Sequence, residues 1–316
     1  MDLMLSIVAA FILDYVIGDP AWLPHPIRWM GRLIEKLEAP FRTLRLSGTL
    51  QGLAFSLTLI LSIWAATFLM MKIAAAIHPA AGWLLQTLVI FYAISVKSLK
   101  DAAMGVFHAL EKKDIDTARD RIAMVVSRDA RQLEADGVAR AAVETVAENL
   151  VDGVISPLFF AALGGAPLAM AFKMASTLDS MVGYKTERYL EFGKASARID
   201  DAAGFIPARL SVLVIALFAE ILWKRGKTAL NTAIREGSHH TSPNAGYPEA
   251  AFAGALGVKL NGPNSYHGTW IDKPYIGADF GPVAVHHIPM ACDLMVKSAM
   301  GFAALTVIFS GFFFWM

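Results

Sequence analysis

Six apolar stretches alternate with polar segments along this chain, at about residues 3–17, 50–71, 79–99, 154–175, 208–223 and 298–316. Three of them contain long runs without any charged residue: Leu50–Met71, Pro79–Val96 and Ser298–Met316. An uncharged run of about 18 residues or more is long enough to cross the hydrocarbon layer of a bilayer as a helix. The pattern therefore predicts an all-α, polytopic membrane helical bundle, which we expect to be a single membrane-embedded domain over residues 1–316.

The basic residues of the connecting segments predict the orientation. The 18–49 segment carries five Lys or Arg residues, whereas the turn at 72–78 carries only Lys72. We therefore expect 18–49, and also the helical 100–153 region, to face the cytoplasm of a bacterial inner membrane. The stretch 3–17 lacks the basic start of a signal peptide, so we expect it to be retained as the first membrane segment.

Two apolar stretches do not look like simple crossings. Residues 154–175 contain Pro157 and the Gly164–Pro167 segment, which favours two half-helices that enter and leave on the same side. Residues 208–223 are short and include Glu220, which fits a re-entrant or interfacial helix. If both interpretations hold, every long polar segment faces the cytoplasm; six single crossings are the alternative.

Composition narrows the function classes. The chain has 316 residues, 56% of them hydrophobic and 17% charged, with a formal net charge of +1. A charge so near zero gives no electrostatic reason to expect a nucleic-acid partner. The single cysteine, Cys292, excludes a disulfide framework within one chain and is interpreted as a packed thiol.

Acidic residues follow a helical spacing just before the fourth stretch. Glu144, Glu148 and Asp152 are four residues apart, so one helix would stack them on a single face. Stacked carboxylates repel each other, and Mg²⁺ shared with a substrate phosphate would remove that cost. A solvated acidic face is the alternative interpretation. Asn149 and Asp179 complete the predicted metal-binding set.

Basic and small polar residues supply candidates for binding phosphate. Lys173 lies inside an apolar stretch, where an ammonium is costly and marks a functional site unless it reaches the interface. Arg198 and Arg209 could each grip a phosphate in a bidentate way, or form surface ion pairs. The predicted substrate- and phosphate-binding set is Lys173, Ser180, Lys185, Arg198, Arg209, Ser242 and Asn244.

A rigid turn after the first stretch presents further acid–base groups. Asp14 and Asp19 bracket a helix end, and His25 lies between two prolines in Leu23-Pro24-His25-Pro26. A helix cap with a structural turn would explain the same residues. The predicted catalytic acid–base set is Asp14, Asp19, His25, Asp200 and Asp201. The chain lacks a P-loop and the His-Glu-x-x-His zinc motif.

Several of these motifs, in this order, resemble the adenosylcobinamide-phosphate synthases of cobalamin biosynthesis, the CobD/CbiB membrane proteins. The resemblance covers most of the chain and depends on motifs that share a fixed order: Gly18-Asp19-Pro20, Pro24-His25-Pro26, Ser127-Arg128-Asp129, Glu144-Thr-Val-Ala-Glu148-Asn149, Thr177-Leu-Asp179-Ser180, Ala197-Arg198-Ile-Asp200-Asp201, Pro207-Ala-Arg209 and Ser242-Pro243-Asn244. One departure is Gly204, where the family pattern has Asn.

The resemblance implies an ATP-dependent amide ligase with Mg²⁺. Its substrates would be adenosylcobyric acid and an amino-alcohol phosphate, either aminopropanol phosphate or ethanolamine phosphate, and its product adenosylcobinamide phosphate. Contact with membrane lipid and association with other late cobalamin-pathway enzymes are also implied, with the active site on the cytoplasmic side. Two alternatives stay open: a metal-dependent membrane transferase acting on a polyprenyl diphosphate, and a non-enzymatic transporter or sensor on the same scaffold.

Overall fold

The computed structural model describes residues 2–20, 24–126, 128–266 and 268–315. The α-helices within these ranges are α1 (Asp2–Ile17), α2 (Pro26–Arg42), α3 (Gly48–Ile77), α4 (Pro79–Ala93), α5 (Val96–Glu111), α6 (Ile115–Ala123), α7 (Ala135–Leu150), α8 (Ser156–Val182), α9 (Lys194–Trp223), α10 (Gly226–Glu236), α11 (Gly246–Leu256) and α12 (His287–Trp315). Leu23 and Ser127, which belong to the motifs above, lie outside the described residues.

Four short strands are the only sheet in the described ranges. β1 (Leu260–Asn261) pairs antiparallel with β4 (Tyr275–Ile276), and β2 (Asn264–Tyr266) pairs antiparallel with β3 (Thr269–Ile271). The architecture is therefore all-α, as predicted.

Five helical spans in the described part of the chain are long and apolar enough to cross a membrane: Gly48–Ile77, Pro79–Glu111, Ala135–Val182, Lys194–Trp223 and His287–Gly311. The prediction of a multi-pass membrane protein is confirmed at this level. The stretch at 3–17 forms α1, an apolar helix of 16 residues. The predicted helical character of 100–153 is also confirmed, because α5, α6 and α7 lie there.

The predicted break in the fourth stretch is present in α8. Gly164 (φ −151°, ψ 22°) and Gly165 (φ 67°, ψ −161°) leave helical geometry in the middle of the helix, and Pro167 follows them. The backbone of Gly165 lies in a region that is essentially restricted to glycine. Two helical segments therefore meet at a kink, while their entry and exit on the same side stays a prediction.

The fifth stretch is longer than predicted. It belongs to α9, a helix of 30 residues that begins at Lys194. A helix of this length extends about 45 Å, more than the roughly 30 Å needed to cross the hydrocarbon layer. The interpretation of 208–223 as a short helix was wrong because the polar residues before it, including Asp200 and Asp201, continue the same helix.

The chain divides into two compact units. The first comprises residues 1–95, 152–204 and 303–316, and here α3 packs against α4 and α8 around buried residues such as Phe55, Leu59 and Ile90. The second comprises residues 96–151 and 205–302, with α10 packed against α11. Cys292 is buried in the second unit, as expected of a packed thiol. The single catalytic domain stays a prediction.

Candidate functional site

Lys173 lies in the second half of α8, among acidic groups of the first unit. Its Nζ atom donates a hydrogen bond of 3.5 Å to the backbone carbonyl oxygen of Asp152. Asp152, Asp19 and Asp200 all act electrostatically on its ammonium group. An ammonium within an apolar helix is costly unless carboxylates surround it, and such a residue marks a functional site. The three aspartates supply negative charge within electrostatic reach of this ammonium.

Asp200 is one of the aspartates that act on Lys173. Asp152, Asp179 and Asp201 are within electrostatic reach of its carboxylate, as is Lys173. Carboxylates in one site repel each other when all are ionised, so a single ammonium leaves an excess of negative charge. We call Asp19, Asp152, Lys173, Asp179, Asp200 and Asp201 the aspartate–lysine cluster. It combines two predicted metal ligands, one predicted phosphate ligand and three predicted acid–base groups.

The backbone that carries Asp152 is not α-helical. Residues Val151–Ile155 form a π-helical segment between α7 and α8. π-helical insertions are rare and are frequently found at functional sites. α7 ends at Leu150, so Glu144 and Glu148 share one face of α7 as predicted, whereas Asp152 lies in the π-helical segment and does not continue that α-helical stack.

The predicted metal ligands fall into both units. Asp152 and Asp179 belong to the first unit, whereas Glu144, Glu148 and Asn149 belong to the second. The Asn149 amide donates to the Thr145 carbonyl oxygen at 3.0 Å, and Glu148 is exposed. Within the described ranges, no three His, Cys, Asp or Glu side chains are grouped to hold a metal ion. The metal assignments stay predictions.

Glu144 is buried and already has cationic and backbone partners. Its Oε2 atom is 2.5 Å from Nη2 of Arg128, and its Oε1 atom accepts a hydrogen bond of 2.5 Å from the Asn261 backbone N–H. Arg140 Nε lies farther away, at 3.9 Å. Helical spacing points only to Arg140, whereas the contacts with Arg128 and Asn261 come from tertiary packing and balance the Glu144 charge without a metal ion.

His25 and Asp19 form a pair beside α2. His25 caps this helix, since its Nδ1 atom accepts a hydrogen bond of 3.3 Å from the Ile27 N–H. Its Nε2 atom lies 3.4 Å from Asp19 Oδ1, so the neutral ring would carry its proton there. The alternative of a helix cap describes His25 correctly. Asp14 is fully buried in α1. The catalytic roles of all three residues stay predictions.

The remaining predicted phosphate ligands of the first unit are exposed. The Ser180 hydroxyl donates to the Thr177 carbonyl oxygen at 3.0 Å within α8. Lys185 and Arg198 are exposed, and both act electrostatically on Asp201. These two cations are therefore associated with the aspartate–lysine cluster, whereas the Ser180 hydroxyl is used by its own helix.

Arg209, Ser242 and Asn244 hold one another in the second unit. Arg209 Nη1 donates to Asn244 Oδ1 at 2.8 Å, and Nη2 donates to the Pro243 carbonyl oxygen at 3.0 Å. The guanidinium lies 3.7 Å from the ring centre of Phe205 and 4.1 Å from that of Tyr247. Ser242 Oγ accepts the N–H groups of Asn244 and Ala245, each at 3.2 Å. Their predicted phosphate contacts stay untested, and the observed role is to fix this turn.

Sequence reasoning missed two buried carboxylates. Glu249 lies in the first turn of the apolar helix α11. Burial, with Glu144 and Glu148 nearby, raises its pKa well above the usual value. His240 Nε2 lies 3.8 Å from Glu249 Oε1, and burial together with Lys273 lowers the His240 pKa. An acid at the start of an otherwise apolar helix was the available signal.

The second missed carboxylate is Glu38 of α2. It accepts hydrogen bonds from Arg42 Nε at 2.8 Å, Arg188 Nη2 at 2.9 Å and the Tyr189 hydroxyl at 3.2 Å. Burial acts to raise its pKa, but the bonds to Arg188 and Arg42 outweigh burial and hold that pKa below its usual value. Glu38 thereby ties α2 to the 184–193 segment.

Comparison with known proteins decides the family. The sequence model described as CobD/Cbib protein matches residues 7–295. The chain belongs to the CobD/CbiB family. It is 44% identical over 322 aligned positions to the cobalamin biosynthesis protein CobD of Klebsiella pneumoniae, covering 99% of this chain and 98% of the relative. It is 42% identical over 304 positions to the cobalamin biosynthesis protein CbiB of Salmonella typhimurium, covering 94% of each.

The expected family is thus confirmed over nearly the whole chain. The matched range contains every residue of the aspartate–lysine cluster and the turn held by Arg209. No solved structure matches this chain.

Proposed function

We propose that this CobD/CbiB protein is an ATP-dependent amide ligase of cobalamin biosynthesis. It would join the free carboxylate of adenosylcobyric acid to the amine of an amino-alcohol phosphate and release adenosylcobinamide phosphate. The names of its curated relatives support a role in cobalamin synthesis. The observation that carries the proposal is that Lys173 contacts the Asp152 backbone carbonyl oxygen and lies within electrostatic reach of Asp152, Asp19 and Asp200.

The chemistry requires activation, since a free carboxylate does not form an amide with an amine at neutral pH. In the proposed reaction, the corrinoid carboxylate attacks the γ-phosphorus of ATP, which gives an acyl phosphate and ADP. The amine then attacks the acyl carbon, and inorganic phosphate leaves. Both steps concentrate negative charge, and preorganised cations stabilise charge of this kind in transition states.

Lys173 is the group proposed to bind the transferred phosphoryl oxygens. Its ammonium is fixed in α8 by the contact with the Asp152 carbonyl oxygen, so little reorganisation would be needed during the reaction. Lys185 and Arg198 are exposed beside Asp201 and would add positive charge at the entrance. An amine nucleophile must also lose a proton, and Asp200 is the proposed acceptor.

The donor atoms of the aspartate–lysine cluster fit Mg²⁺. This ion prefers oxygen ligands, and it usually binds one or two carboxylates and shares its other positions with water and substrate phosphate. Asp152 and Asp179 are the carboxylates of the cluster proposed to hold it. The ion would neutralise phosphate charge while ATP is bound. A closed cage of protein ligands is not required for this role.

A conversion assay tests the proposal. The purified full-length protein in lipid nanodiscs would be given ATP, Mg²⁺, adenosylcobyric acid and ethanolamine phosphate. We expect ADP to form only when both other substrates are present, together with adenosylcobinamide phosphate. Unchanged adenosylcobyric acid after prolonged incubation, with folded protein, would reject the proposal in favour of the transferase or transporter alternatives.

A further inference from the structure

The second unit contains a polar pocket of about 400 Å³ near the start of α7. This size is within the range of roughly 300–1,000 Å³ that is usual for small-molecule sites. Charged groups of both signs line it: Arg140 and Lys259 as cations, and Asp129, Glu134 and Asp136 as acids. We call it the α7 pocket. None of its charged residues belongs to the aspartate–lysine cluster.

The two cations share one aromatic side chain. Lys259 Nζ lies 5.2 Å from the ring centre of Tyr275, and the Arg140 guanidinium lies 5.9 Å from it. In the described residues, Lys259 has no carboxylate within ion-pair distance. The nearest acid to Arg140 is Glu144, at 3.9 Å, which Arg128 already neutralises at 2.5 Å. This side of the pocket can therefore accept an anion.

The hydrogen-bonding capacity of Arg140 supports the same conclusion. Its Nε atom is buried and has no hydrogen-bond partner among the described residues. That nitrogen is enclosed beside Glu144, so a ligand in the pocket would meet the outer guanidinium nitrogens, which donate no hydrogen bond to another described residue. Arg is well suited to this role because its planar group matches phosphate geometry.

On the acidic side, Glu134 is the carboxylate for which the described residues supply no hydrogen-bond or ion-pair partner. Asp129 accepts hydrogen bonds from the Ser265 hydroxyl at 2.6 Å and from the Gly268 N–H at 2.8 Å. Asp136 accepts the Gly137 N–H at 2.7 Å. Glu134 precedes α7 and is exposed, and its side chain makes no capping bond to the described helix. Glu134 is therefore the acid that can receive a ligand cation.

We infer that the α7 pocket binds a small phosphate monoester that carries an ammonium group. Arg140 and Lys259 take the phosphate, and Glu134 takes the ammonium. This inference rests on the proposed function, because an amino-alcohol phosphate has this combination of charges. The pocket thereby supplies a recognition site for the amine substrate, which selects it by both ends of the molecule.

Titration calorimetry with ethanolamine phosphate tests this site without ATP or a corrinoid. Inorganic phosphate and ethanolamine serve as the two half-ligands, and the full-length protein is used in nanodiscs. Lys259→Gln should weaken binding of ethanolamine phosphate and of inorganic phosphate by about tenfold or more. Glu134→Gln should weaken ethanolamine phosphate but leave inorganic phosphate unchanged. Lys227→Gln, at an exposed lysine of α10 outside the pocket, should change neither affinity.

A second measurement uses Trp270, which lines the pocket and is 70% exposed. Ethanolamine phosphate should change the tryptophan fluorescence of the wild type, and Trp270→Phe should remove that change. Wild-type affinity in Lys259→Gln, or a fluorescence change that persists in Trp270→Phe, would overturn the assignment.

The two hypotheses fail separately. Binding at this pocket without any amide product would reject the ligase proposal alone. Amide formation that Lys259→Gln and Glu134→Gln leave unchanged would reject the pocket alone.

Discussion

The ammonium of Lys173 lies 3.5 Å from the backbone carbonyl oxygen of Asp152, although the two residues are 21 positions apart. The contact joins the kinked helix α8 to the π-helical segment before it. Asp19 and Asp200 also act on the ammonium. The negative charge of these aspartates offsets part of the free-energy cost of an ammonium within an apolar helix.

Replacement of Lys173 by Gln should abolish most of the catalytic rate. We expect kcat for amide formation to fall by about 100-fold or more, because one preorganised donor to a developing anion contributes this much. Steady-state kinetics with varied ATP would measure it. Lys72→Gln is the matched control, since Lys72 is an exposed lysine of α3 in the same unit. Equal rates in the two variants would remove Lys173 from the proposed mechanism.

Glu148→Gln should abolish activity while the protein remains folded. Glu148 is exposed, so replacement of its carboxylate by an amide changes no buried group. The expected observations are a melting temperature within a few degrees of wild type and no amide product. Near-normal turnover would contradict the predicted metal role of Glu148.

Glu144→Gln should instead destabilise the fold. Its carboxylate is buried against Arg128 at 2.5 Å, and removal of one member of a buried pair costs about 3–5 kcal/mol. Chemical denaturation in nanodiscs or detergent would compare the free energies of unfolding of Glu144→Gln and Glu148→Gln. Wild-type stability of Glu144→Gln would show that Arg128 does not depend on this carboxylate.

Arg209→Lys should lower stability more than it changes substrate binding. Lysine keeps the charge but cannot donate to Asn244 and Pro243 together, nor stack between Phe205 and Tyr247. A loss of about 2 kcal/mol is expected, with the KM for ATP unchanged in the folded fraction. Arg235→Lys, at an exposed position of α10 in the same unit, is the control. A rise in the KM for ATP without destabilisation would favour the predicted phosphate contact of Arg209.

The contacts of Glu38 with Arg42 and Arg188 should make the free energy of unfolding depend on pH in the acidic range. The folded-state pKa of Glu38 is held below its usual value of 4.5, so its stabilising effect is complete above that value. It is lost as pH falls through the lower, folded-state pKa. Wild type should therefore be more stable than Glu38→Gln at pH 7, with the difference shrinking below about pH 4. A difference that does not vary between pH 7 and pH 3 would contradict this account.

Sequence reasoning predicted the elements better than their partners. The kink at Gly164 and Gly165 followed from local chemistry, because a glycine pair followed by proline disfavours a continuous helix. The length of α9 was missed, since charged residues such as Arg198 and Asp201 resemble a loop when only hydrophobicity is considered. Exposed charges on one end of a long helix are compatible with the same helix entering a membrane.

The site shows why partners are harder to predict. Arg209 and Asn244 were both predicted to bind phosphate. They are 35 positions apart in the chain, yet Arg209 donates a hydrogen bond to Asn244. Glu144 likewise pairs with Arg128 and with a backbone N–H 117 positions away. Spacing along a helix predicts neighbours on that helix, whereas these contacts depend on tertiary packing. Lys173 could be identified because an isolated charge in an apolar stretch is informative by itself.

The fate of the carboxylate oxygen tests the central claim most directly. Adenosylcobyric acid labelled with a heavy oxygen isotope in its free carboxylate would be converted with ATP and ethanolamine phosphate, and the products analysed by mass spectrometry. The account predicts adenosylcobinamide phosphate together with one labelled oxygen in the released inorganic phosphate. Amide product with unlabelled phosphate would contradict activation as an acyl phosphate, and the absence of amide product would contradict the ligase function itself.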